Sequence, residues 1–192
     1  PEASVNYKLY NVVLKNIKAD VDLNNMVNIK DACVEILGHP LKIYGTIQNN
    51  SDTDLHLTAD KILLRGLIAA AGQVQLLKEN KFNSGTLSLD ASLSGKLSKP
   101  FPSVNLSLDD ISVKNLPTNT KITMPAAKFV INNDGKKFSG DLTAANLLIE
   151  NPFINVSAPE TEVVIGDKNI DIKKAYLFLN NSRIDVTGNI TN

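Results

Sequence analysis

Asp20, Asp22 and Asn24 stand at the alternate spacing with which an EF-hand loop begins to wrap oxygens around calcium. The sixth position of that loop is Asn25 where glycine is needed, and the twelfth is Asp31 where a bidentate glutamate is needed. A solvated strand face is therefore the expectation for this stretch. His39 and His56 are the only histidines and Cys33 is the only cysteine, and neither histidine has metal-ligand spacing to Cys33 or to a carboxylate. A Ser–His–Asp triad can assemble from distant positions, but no Gly-x-Ser-x-Gly elbow is present. Walker and dinucleotide glycine patterns are absent too. Cys33 reads as a small buried apolar residue. These residues predict no enzyme, no metal site and no cofactor.

Composition points away from several partner classes. Lys plus Arg and Asp plus Glu each number 20, so no global field attracts nucleic acid or anionic lipid. Tyr and Phe together number ten and Trp is absent, too few stacking groups for a typical single-strand binder. Leu, Ile and Val number 24, 17 and 14, enough in 192 residues to bury a core. One cysteine excludes an internal disulfide framework. No uncharged apolar run reaches the length of a membrane-spanning helix. The chain starts at Pro1 without a basic and apolar leader, and Ile190 still keeps strand alternation two residues from the last. Both ends read as cut points in a longer protein that carries targeting and anchoring segments elsewhere. Five Asn-x-Ser/Thr sites, at Asn49, Asn105, Asn155, Asn180 and Asn189, are about what so Asn-rich a chain gives by chance, and no glycosylation is inferred.

The elements that would position any site follow from a period of two. Leu87, Leu89, Ala91 and Leu93 alternate with Ser88, Asp90, Ser92 and Ser94, and Gly95 and Leu97 keep the phase. Alternate strand residues point to opposite faces, so this is a sheet with one apolar and one wet face. Leu41 and Ile43, Leu55 and Leu57, Val104 to Leu108, Phe129 and Ile131, Leu142 and Ala144, Ile170 and Ile172, Leu177 and Leu179, and Ile184 and Val186 repeat the pattern. Ile111 and Val113 fall in the opposite phase to Leu108, so Asp109-Asp110 is a turn or bulge. Turn signals at residues 49–52, 132–135, 166–169 and 180–182 indicate hairpins and a largely antiparallel sheet. Residues 63–78 differ: Leu63, Leu67, Ala70, Ala71, Val74 and Leu77 have helical spacing, and a single helix is expected there.

The pattern apolar-x-Gly-x-apolar recurs around Gly45, Gly95, Gly140 and Gly188, at spacings of 50, 45 and 48 residues. A near-constant period suggests a segment of stacked units, roughly 1–50, 51–97, 98–142 and 143–192. Glycine at such positions permits a bend, a bulge or close approach.

The run from Ser84 through Gly85, Leu87, Leu89, Leu93, Gly95 and Leu97, then Pro100-Phe101-Pro102 and Val104 to Ile111, resembles the repeat of the AsmA-like and TamB-like proteins of diderm bacteria. Residues 41–47 and 55–60 resemble the preceding unit, and the apolar helix before Gly85 fits the same pattern. The resemblance covers most of the chain and is strongest over residues 27–113. It implies a mostly β fold, a curved antiparallel sheet forming an elongated taco-like groove. It also implies a periplasmic location on an inner-membrane-anchored protein and a contribution to phospholipid transport between inner and outer membranes. Implied partners are phospholipid acyl chains, the inner membrane through a segment outside this sequence, and an outer-membrane partner protein. Nucleic acid is not among them.

The alternating aliphatics are the candidate lining of such a groove: Ile43, Ile47, Leu55, Leu57, Leu87, Leu89, Leu93, Leu97, Val104, Leu106, Leu108, Leu142, Leu177, Leu179, Val186 and Ile190. The same residues would equally serve ordinary packing between two sheet layers or against the helix. Two other functions compete with phospholipid transport: a lipopolysaccharide-bridge-like jelly roll, and a structural or interaction β-sandwich of a surface protein.

Overall fold

The computed structural model describes residues 5–7, 12–22, 26–36, 38–48, 52–133, 135–180 and 182–191. Four strands come first: β1 (Val5–Tyr7), β2 (Val12–Asp22), β3 (Met26–Ile36) and β4 (His39–Gln48). β5 (Asp52–Leu63) leads into two short helices, α1 (Leu64–Ala70) and α2 (Val74–Glu79). β6 (Asn80–Lys96), β7 (Lys99–Asn115), β8 (Thr120–Asn133) and β9 (Phe138–Glu150) are the longest strands, followed by β10 (Asn155–Gly166), β11 (Asn169–Leu179) and β12 (Ser182–Thr191). Every strand pairs antiparallel with its neighbours in the chain, giving one twelve-stranded sheet among the described residues. Among the described residues its outer strands, β1 and β12, are not paired with each other, and the sheet is curved and unclosed.

Curvature has a local cause. From β5 to β11 each strand places two residues, instead of one, between successive apolar positions. The pairs are Asp60-Lys61, Asn83-Ser84, Asp109-Asp110, Pro125-Ala126, Ala145-Asn146, Pro159-Glu160 and Lys173-Lys174. On β7 to β10 these irregularities are in direct register and form a crease, from which those of β5, β6 and β11 are offset by a few residues; bulged residues bend a strand and increase its twist. Lys61, Asp110 and Asn146 adopt positive φ angles of 49°, 52° and 52°, the left-handed conformation in which one kind of bulge places its extra residue. Asp109-Asp110 is thus a bulge within β7. The apolar phase slips there so that Leu108 and Ile111 stay on one face.

The expected single helix over residues 63–78 is instead two, and the break has a named motif. The Gly72 N–H donates to the Ala69 carbonyl at 3.1 Å and the Gln73 N–H to the Ile68 carbonyl at 3.2 Å. With Gly72 at φ +72°, this is a Schellman motif that terminates α1. α1 packs beside the crease, where Ile62, Ala70 and Ile111 are buried and Gly85 leaves room for Leu64 and Ile111. Beyond these, Ala59 and Ala158 complete the buried apolar set among the described residues. A compact 20.8 kDa monomer exposes about 8,900 Å². This chain exposes 12352 Å², as expected of a single layer with no second sheet across it among the described residues.

The four periodic glycines fall in β4, β6, β9 and β12 and meet different surroundings. A Cβ on Gly45 would lie 2.0 Å from the Asp54 carbonyl oxygen, and one on Gly95 would meet the Phe101 ring at 2.7 Å. A Cβ on Gly140 would touch Ile165 at 3.4 Å, and one on Gly188 would meet open space.

Candidate functional site

Residues paired across adjacent strands project to the same side of a sheet. The register therefore assembles the apolar positions into rows. One row runs Ile43, Leu57, Ala91, Val104, Ile131, Gly140, Ile165, Ile170 and Ile190. The next, two residues along each strand, runs Leu41, Ala59, Leu89, Leu106, Phe129, Leu142, Val163, Ile172 and Gly188. A third begins at Ile62 and passes through Leu87, Leu108, Ala127, Ala144, Thr161, Ala175 and Val186. No ionisable side chain interrupts these rows. Nine strands at roughly 4.8 Å spacing extend the first two over about 38 Å.

Fifteen of the sixteen candidate residues lie on this face. Ile47 and Leu55 join it through Thr53 and Gly45, Leu93 through Leu55, and Leu177 and Leu179 continue it past the crease with Ile184 and Val156. The exception is Leu97, which occupies the β6–β7 turn and is 55% exposed. Its apolar phase with Leu93 does not survive because the strand ends at Lys96. Most of the face is partly exposed, and Leu142, Leu179 and Ile190 are more open still. Among the described residues Thr53 is the buried polar group on this side, and its hydroxyl donates to the Gly95 carbonyl at 2.7 Å.

Several members of the face were absent from the alternating candidates. Val156, Val163 and Ile165 of β10 show no alternation because Val163-Val164-Ile165 is a continuous apolar run and Pro159-Glu160 resets the phase. Ile111, Val113, Ile122, Met124, Leu147 and Ile149 lie beyond the crease, where the same reset applies. The usable signal was the recurrence of two-residue interruptions carrying proline or polar side chains.

The opposite face carries the charges and pairs many of them. Lys174 contacts Glu160, Lys173 contacts Asp171, and Arg183 Nε donates to Asp185 at 2.7 Å. A hydrogen bond to the neighbouring carboxylate raises each cation's pKa. His56 stacks on Tyr44 with ring centroids 4.9 Å apart and lies 3.3 Å from Asp54. His39 is at the start of β4 opposite Ile36, in a different row from His56. Cys33 pairs with Lys42 on this wet face and is only partly buried, contrary to the buried apolar role expected of it. Its neighbours Ala32 and Val34 take the apolar side instead, because the β3 bulge between Ile29 and Ala32 shifts the phase. Asp20 and Asp22 are strand residues of β2 paired with Asp31 and Asn28, and residues 23–25 lie outside the described residues. Among the described residues no three His, Cys, Asp or Glu side chains are placed to hold a metal ion, and no helix is long and apolar enough to cross a membrane.

Comparison with known protein families, with curated proteins and with solved structures gives no match.

Proposed function

We propose that this chain is a segment of a hydrophobic groove that holds lipid acyl chains and contributes to phospholipid transport between membranes, as its resemblance to the AsmA-like and TamB-like repeat implies. One observation carries the reading: three apolar rows cross the sheet without an ionisable side chain, and no second sheet covers them among the described residues. An aliphatic surface left to water is unfavourable, and each methylene removed from water against it contributes about 0.8 kcal/mol. Acyl chains need no catalytic group and little aromatic surface, which matches the composition. A curved sheet would hold them along its concave side with headgroups in solvent at the open seam. In that setting the protein is periplasmic, held at the inner membrane by a segment outside this sequence.

The test is mass spectrometry of lipid carried through purification of the chain from bacterial membranes under mild conditions. Phospholipid at a constant ratio to protein is expected, and lipopolysaccharide in its place would change the cargo. A lipid-free, monodisperse protein that also fails to take up fluorescent phospholipid would refute the reading.

A further inference from the structure

We infer that the sheet rim bearing the two helices docks on the surface of an anionic phospholipid bilayer. The rim is formed by α1, α2 and the β7–β8, β9–β10 and β11–β12 turns, which the antiparallel order brings to one end of the sheet. Hydrogen bonds tie these parts together: the Leu116 N–H donates to the Glu79 carbonyl at 2.8 Å, and the Asn180 N–H to the Asn155 carbonyl at 3.0 Å.

Two of these turns present apolar tips. Phe153 is 86% exposed, Ile154 44% and Leu116 52%. The Phe153 tip is held in shape, because the Asn151 side-chain oxygen accepts from the backbone N–H groups of Phe153 and Ile154, each at 2.8 Å. A large aromatic fixed outward in water has no packing role within the chain, and a preorganised apolar tip suits shallow insertion below lipid headgroups. Pro117 and Pro152 beside the two tips limit the backbone entropy lost on insertion.

The charge on this rim is the second and independent observation. Lys81, Lys114 and Lys121 stand directly opposite one another on β6, β7 and β8, three cations in a single row. Like charges in direct register destabilise a sheet, so the row favours an anion beyond those the fold supplies. Of the three, Lys121 faces a carboxylate, that of Glu150 at 3.5 Å. Segments 64–81, 114–121, 150–155 and 180–185 carry six cations and three carboxylates, a net +3 within a chain of net charge zero. Phosphate-bearing headgroups beside apolar tips satisfy both the lysine row and the exposed Phe153. This inference does not depend on what fills the apolar face.

Co-sedimentation of the whole chain with vesicles tests it. Binding to vesicles of phosphatidylglycerol and phosphatidylcholine in equal parts should exceed binding to phosphatidylcholine alone by about tenfold or more. Both Phe153→Ser with Leu116→Ser and Lys81→Gln with Lys114→Gln should weaken it by about tenfold or more, with unchanged far-ultraviolet circular dichroism. Leu97→Ser, on the opposite rim, should leave it intact. Absence of binding by the unmodified chain, retention by the Phe153 variant, or self-association that vanishes with Phe153 would each overturn the proposal. Lipid carried by the apolar face is read separately by the mass spectrometry above, so the two proposals can fail independently.

Discussion

Ser84 on β6 donates its hydroxyl hydrogen to the main-chain carbonyl of Asp110 on β7 at 2.6 Å, across the crease where Asp110 turns left-handed at φ 52°. Two further hydrogen bonds repeat the device one strand away: the Ser88 hydroxyl donates to Asp60 at 2.9 Å and accepts from the Lys61 N–H at 3.0 Å. Short polar side chains thus satisfy backbone groups that the bulges free from the ladder. The crease is built in, and it keeps one apolar face continuous while the sheet bends.

Asp110 should reveal the left-handed requirement directly. Asp110→Gly should be neutral or stabilising, because glycine adopts positive φ without steric penalty. Asp110→Ile should cost about 1–2 kcal/mol, because a β-branched residue is strained there. Urea unfolding midpoints of the two variants check the difference.

The periodic glycines should separate on substitution. Gly45→Ala brings a Cβ to 2.0 Å from a backbone oxygen at φ +133° and should cost about 3 kcal/mol or more. Gly188→Ala meets open space and should shift stability by less than about 0.5 kcal/mol. Equal losses at both positions, by thermal unfolding, would contradict the local geometry described for them.

The small core under α1 should be more sensitive than the broad apolar face. Ile62 is 4% exposed, and Ile62→Ala should cost about 2–4 kcal/mol. Leu142 is 37% exposed in the middle of its row, so Leu142→Asp should leave the chain folded at a cost of about 1 kcal/mol. The same variant should bind fluorescent phospholipid much less well. Unfolding by Leu142→Asp would mean that the face is packed against protein.

Much of this architecture was legible because a half-exposed antiparallel sheet writes its faces into a period of two. Leu87 to Leu93 marked the apolar side of β6 from phase alone, and Asp109-Asp110 marked a phase slip in β7 that phase left open between a turn and a bulge. Fifteen candidate residues share a face for that reason. What escaped detection follows from breaks in periodicity. β10 hides behind Val163-Val164-Ile165, and Leu97 keeps its phase in sequence although the chain has already turned. The helix was visible in its spacing, but Gly72 acts through a positive φ and two terminal hydrogen bonds that spacing does not encode. The glycine period is real in sequence, yet the surroundings of Gly45, Gly95, Gly140 and Gly188 differ because each meets a different neighbouring strand.

Photo-crosslinking in living bacteria tests the central claim most directly. A photoreactive residue at Leu89 or Leu106, on the apolar face, should capture phospholipid. The same residue at Ser88 or Ser107, one position along each strand and on the opposite face, should not. Capture confined to the first pair is the predicted result. No lipid at either apolar position, or equal capture on both faces, would contradict the account.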